Sequence, residues 1–207
     1  MELPEDRPED NDDDDISVTS FAARFLHVLA EALRDSSDEE AAATRSLTQA
    51  ISTALNDLEI QPETIPHPSL GEPNQIFHFG IQTQSGSYSI RMDARPSNFL
   101  LFCTSRLNIP THRRAAVAEY ICRVNYILLQ GCLQMDMGDG EVRYKIAQNN
   151  AGMTAPTVVE LFQNGVEVMD RFFPGIMAVT YTDTSPEQAF HDCEPAVLRE
   201  VQEELAV

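Results

Sequence analysis

Positive charge is scarce in this chain. Lysine and arginine together number 14 among 207 residues, against 33 aspartates and glutamates, for a formal net charge of -19. Binding to nucleic acid or anionic lipid through the overall field is excluded, because both need a basic face to release counterions or attract headgroups; only a local basic patch could override this. Cysteine is also sparse. Cys103, Cys122, Cys132 and Cys193 lie far apart, form no C-x-x-C pair and have no histidine at zinc-ligand spacing, so they read as reduced, packed thiols. The histidines are scattered over the first helix (His27), a proline-rich stretch (His67), the polar face of a strand (His78), the first turn of a helix (His112) and the tail (His191). No bound metal is expected. Nor does the chain contain G-x-S-x-G, H-E-x-x-H, a phosphate-cradling glycine loop or a dinucleotide fingerprint, so neither a catalytic residue nor a cofactor is expected. No apolar run reaches the roughly 18 residues of a membrane span, and the acidic start lacks an apolar leader core. A soluble, cytoplasmic protein follows as the expectation.

What is present divides the chain into five parts. Residues 1–15 carry nine acidic residues against Arg7, end in four aspartates and read as a disordered acidic arm. Residues 16–60 read as a helical pair: Phe21, Phe25, Val28, Leu29 and Ala32 stripe the first helix, while Ser37-Asp38-Glu39-Glu40 has capping-box form and opens a second, striped by Leu47, Ile51, Ala54 and Leu58. Residues 61–74, with Pro62, Pro66, Pro68, Pro73 and Gly71, read as an extended linker and a subdomain boundary. Residues 75–184 hold the main domain. Residues 185–207 form an acidic tail, with a short-helix start at Ser185-Pro186-Glu187-Gln188 and Val197, Leu198 and Val201 further on.

Within the main domain, Phe77, Phe79 and Ile81 alternate with His78 and Gly80, and after a turn at Gln84-Ser85-Gly86 so do Tyr88, Ile90 and Met92 with Ser89 and Arg91. A third strand over Phe99–Thr104 has apolar residues on both sides, with Leu100 and Phe102 opposite Phe99, Leu101 and Cys103. Its outer side therefore needs cover, from the N-terminal helices or a second copy of the chain. Val117, Ile121, Val124 and Leu128 stripe a helix opened by Pro110-Thr111 and closed by Gly131. A hairpin follows, with Leu133, Met135 and Met137 alternating on one arm, a Gly138-Asp139-Gly140 turn, and Val142, Tyr144 and Ile146 on the other. Thr154 caps a final long helix that carries Gly165 on its apolar stripe, and Pro174-Gly175 should kink or interrupt this helix without ending it. The sum is an α+β fold: an antiparallel sheet of about five strands with helices on one face, plus two N-terminal helices.

The segment RVNYILLQG before CLQMDMGDGEVRYK, together with the later DRFFPGI, resembles the YbjN domain family over about residues 74–183. Arg123, Asn125, Gly131, Asp136, Asp139-Gly140 and Val142-Arg143-Tyr144 carry the likeness. The resemblance implies a fold like that of type III secretion chaperones and a regulator linked to sensory transduction, with no catalytic residue to transfer. Fold analogy adds dimerisation and peptide capture. Arg123, Asn125, Gly131, Asp139, Gly140 and Tyr144 are expected to be structural, Asn125 by a hydrogen bond that fixes the entry of the hairpin.

If the apolar strand residues face the helices, then His78, Arg91, Gln134, Asp136, Arg143 and Lys145 gather on the opposite sheet face, where three cations stand out on an acidic protein. That face is the candidate partner surface. Asp136, Asp139 and Glu141 do not have the spacing of a calcium loop. The expected function is a non-enzymatic, chaperone-like binding or regulatory module that recognises a protein segment through its sheet face or by adding a strand to a sheet edge, with a homodimer favoured over a monomer. An enzyme or small-ligand sensor with an unrecognised site is the alternative.

Overall fold

In the computed structural model the backbone is described over residues 18–193 and side chains over residues 38–193. The acidic arm, the stripe from Phe21 to Ala32 and the tail residues Val197, Leu198 and Val201 lie outside the described side chains. The chain divides into two units, Met1–Glu39 and Glu40–Val207, and the sheet belongs to the second.

The two expected N-terminal helices are one. Helix α1 runs unbroken over Val18–Asp57, and Ser37-Asp38-Glu39-Glu40 lies inside it. No glycine or proline occurs between those bounds, so nothing stops a helix that the capping-box sequence would otherwise start. From Glu40 onward α1 belongs to the sheet unit, where Leu47, Ile51, Ala54 and Leu55 enter the common core.

The proline-rich stretch is likewise not a linker. Residues Glu63–Pro66 form strand β1, which pairs antiparallel with β2, Gln75–Gln82. Proline is acceptable here because β1 is an edge strand. The sheet therefore has six strands, all antiparallel, in the order β1-β2-β3-β4-β6-β5, where β3 is Ser87–Ala94, β4 Asn98–Asn108, β5 Cys132–Met135 and β6 Glu141–Asn149. Met137, expected to continue β5, is instead in the turn and exposed.

One sheet face is dry. Phe77, Phe79, Tyr88, Ile90, Met92, Phe99, Leu101, Cys103, Tyr144 and Ile146 alternate into a core shared with the helices. Helix α2, Arg114–Ile127, follows a single 3-10 turn and buries Val117, Tyr120, Ile121 and Val124. Helix α3, Ala155–Tyr181, is capped by Thr154, whose hydroxyl accepts from the Thr157 amide. At Gly165 it comes close enough to the sheet that a Cβ would sit 3.1 Å from Leu101 Cδ2.

Pro174 does not end α3, and the reason is visible. A helical proline deprives the carbonyl four residues back of its donor. That carbonyl belongs to Asp170, and the Ser85 hydroxyl, in the β2–β3 turn, donates to it at 2.7 Å. The Asp170 carboxylate accepts from the Ser85 amide at 3.0 Å and from the Thr83 hydroxyl. The next residue, Gly175, makes room for Tyr120, whose hydroxyl reaches Phe172 O at 2.8 Å. Helix α4, Pro186–Cys193, starts where Ser185 Oγ accepts from the Gln188 amide, and buries Ala189 and Phe190.

Candidate functional site

The other sheet face is built in rows. Glu63, His78, Arg91, Phe102, Lys145 and Cys132 are register partners across all six strands. The next row holds Gly80, Ser89, Thr104, Arg143 and Gln134, and the row on the other side Ile65, Ile76, Asp93, Leu100 and Ala147. Five of the six sequence-predicted surface residues, His78, Arg91, Gln134, Arg143 and Lys145, thus share one face. Asp136 stands at its rim, where its carboxylate accepts from the Gly138 amide at 2.7 Å.

Phe102 is the centre. Its half-buried ring lies 5.6 Å from the Arg91 guanidinium carbon and 5.1 Å from that of Arg143, within the range of cation–π attraction. The outer side of β4 is thus covered partly from within the sheet. The N-terminal helix contributes to the core of the opposite face. Around the ring is a shallow depression of about 370 Å³, lined by His78, Ser89, Arg91, Phe102, Thr104, Ser105, Glu141 and Arg143. A second, of about 490 Å³, adjoins it over Gln134, Met135, Asp136 and Met137, with Glu141 and Arg143 shared by both.

Both guanidiniums are anchored. Asp93 is 0% exposed, and its carboxylate takes Arg91 Nε at 2.7 Å and Nη2 at 2.8 Å, with Arg95 Nη2 at 2.9 Å. A fully buried carboxylate is stable only with such pairing. His67 closes the site from the loop after β1, its Nε2 4.0 Å from Asp93 Oδ2. The loop itself is held to His67 Nδ1 by the amides of Ser69 and Leu70. Arg143 is aimed by Gln134, which accepts from its Nε at 3.1 Å, with Glu141 3.8 Å from Nη1. Arg106, exposed at the end of β4, reaches back over Gly80. Sequence reading missed Asp93, His67 and Arg106 because it ended β3 at Met92 and β4 at Thr104, and placed His67 in a linker.

One pair on this face has the elements of chemistry. His78 Nε2 lies 2.7 Å from Ser89 Oγ. Nucleophilic catalysis needs the base to be oriented by a third group and an oxyanion to be met by donors. No third group is hydrogen-bonded to His78 Nδ1 among the described residues, and the pair is a surface hydrogen bond. Among the described residues no three His, Cys, Asp or Glu side chains converge as metal ligands, and no helix is long and apolar enough to cross a membrane.

The remaining motif positions hold the hairpin. Asn125 donates to Leu133 O at 3.0 Å and accepts from Leu133 N at 2.8 Å, occupying both outward backbone groups of Leu133 on the β5 edge as a neighbouring strand would. The turn is fixed by Asp139, which accepts from the Glu141 amide, and by Gly140 at φ 85°, where a Cβ would lie 2.2 Å from Ile109 O. Arg114 ties it to α2 through Met137 O and Gly138 O. Gly131, at φ 68°, lies against the buried Tyr144, whose hydroxyl donates to Gln130 O. Arg123 stays on the surface of α2 and pairs with Glu119 at 2.9 Å and Glu187 of α4 at 3.9 Å.

Both sheet edges are thereby restricted. At β5, Asn125 fills the place of a further strand. At β1, His67 N donates inward to Asn74 O, so the alternating backbone groups of Pro62, Thr64 and Pro66 point away from the sheet. Two of these three have no N–H, and Thr64 offers the single outward donor.

No curated protein matches the chain. The profile of one family, described as "Putative bacterial sensory transduction regulator", matches residues 48–177, from the core-facing part of α1 through α3 past Pro174-Gly175. The hairpin held by Asn125, Gly131 and Asp139-Gly140 lies within that span, and the chain belongs to the YbjN family.

Proposed function

We propose that the chain is a non-enzymatic regulatory module of the cytoplasm that docks a protein segment on the outer face of its sheet, over Phe102. The observation that carries this is the anchored pair Arg91 and Arg143 flanking a half-buried aromatic ring on a chain of net charge -19. Protein segments bind where an apolar anchor site is bordered by oriented polar groups. Strand addition is the less suitable mode, since Asn125 and the β1 prolines leave few free edge groups. The family description supports a regulatory role, and four unpaired cysteines fit a reducing compartment. A homodimer remains part of this reading, with the sheet face left to the partner. A second reading, a sensor of a small anionic ligand, rests on the size of the depression over Phe102, about 370 Å³.

Capture from native cell extract tests the reading. Full-length protein is compared with Phe102→Ser, with Arg143→Gln and with a change on the helical side, Tyr126→Ser. A partner retained by the parent and Tyr126→Ser but lost from the two sheet-face variants is the expected result. Equal capture by all four would refute the docking face.

A further inference from the structure

We infer that the segment accepted by this face is acidic, an extended stretch with a carboxylate on either side of an apolar side chain at alternate positions. The inference rests on the sheet face being the docking surface and concerns what it selects.

The first ground is the accounting of donors. Asp93 takes Nε and Nη2 of Arg91 and leaves Nη1 for another acceptor. Gln134 takes Nε of Arg143 and leaves its two terminal nitrogens, with Glu141 no nearer than 3.8 Å. Lys145, the chain's sole lysine, stands beside Phe102 on the same row. Asp93 is sealed beneath Arg91 and Arg95, and Glu141, the acid that lines the depression, is the carboxylate an incoming anion displaces from beside Arg143 Nη1. Guanidinium nitrogens left free in this way are matched by carboxylates, which bind them through charge-assisted hydrogen bonds.

Geometry adds the spacing. Side chains on one side of an extended segment recur about every 6.8 Å. An apolar side chain seated on the Phe102 ring therefore places its neighbours of the same side toward the two guanidiniums, each less than 6 Å from the ring centroid. Elsewhere the acidic surface repels such a segment, so its wrong placements are penalised as well as its right one favoured.

The test uses full-length protein and a fluorescent peptide of glutamate, serine, leucine, serine and glutamate between flexible ends, with a control in which both glutamates are glutamine. Binding is read by anisotropy. Site occupancy is read by mass spectrometry as protection from amine acylation, which outside the α-amine reports Lys145 alone. The glutamate peptide should bind at least about ten-fold more tightly and protect Lys145, and Arg143→Gln should erase most of that difference between the two peptides. If both peptides bind equally, protect Lys145 and are lost with Phe102→Ser, the face docks segments but does not select acids, and the inference is overturned while the docking reading stands. If neither protects Lys145, the inference is likewise overturned, and the capture experiment above decides the docking reading independently.

Discussion

Cys103 and Cys122 are both unpaired, yet their environments give them opposite chemistry. Cys103 is 0% exposed, and burial, followed by the charge of Asp170, pushes its thiol up to about 12. Cys122 is exposed on α2. A thiol reagent under native conditions should therefore modify Cys122 first and Cys103 only on unfolding, which peptide mapping of the labelled protein checks. Asp170 gives a pH dependence. Burial raises its carboxyl, but the hydrogen bonds from Thr83 and Ser85 outweigh that and hold it below the ordinary aspartate value of about 3.9. A depressed folded value stabilises the protein above the ordinary value, and this contribution is lost as pH falls through the folded value. Thermal melts of the parent and Asp170→Asn between about pH 2 and 6 should thus converge toward the acid end. At Gly175 a Cβ would lie 2.2 Å from the Tyr120 hydroxyl, and Gly175→Ala should cost about 1 to 3 kcal/mol in denaturant unfolding.

At the scale of elements, Asn125 acts as a surrogate strand. Asn125→Ala should remove about 1 to 3 kcal/mol and free the outward groups of Leu133, so that concentration-dependent association appears in sedimentation. Periodicity made most elements legible, including the hairpin, the Thr154 cap, the close approach at Gly165 and the survival of the helix through Pro174-Gly175. It failed where a local signal has two uses. Ser-x-x-Glu marks a helix start but is also tolerated in an exposed helix interior, so α1 was split. Proline marks a linker but also suits a strand with one unpaired edge, so β1 was overlooked. The sheet face was readable because its residues alternate with the core. The buried Asp93 cluster was not, since its partners Arg95 and His67 come from turns that only the three-dimensional register brings together.

For the molecule as a whole, the core residues of the sheet unit run from Leu47 to Phe190. A chain beginning at Glu40 keeps all of these described core side chains. One beginning at Gln75 loses the buried side chains of α1 together with β1, and should lose stability steeply, each large apolar side chain withdrawn leaving a cavity worth about 2 to 5 kcal/mol. Calorimetry of the two distinguishes this from a boundary at residues 61–74. The gap left by Pro174 bears on how the parts come together. Helix α3 lacks one of its own ladder bonds, and the missing donor, the Ser85 hydroxyl, comes from a turn 85 positions earlier in the chain. A peptide spanning α3 alone has no means of filling that place, so its second half should be less helical than its first by residue-resolved chemical shifts. The two halves of α3 then reach full order together only once the β2–β3 turn has formed, which makes assembly of the helix a late, collective event and not a local one.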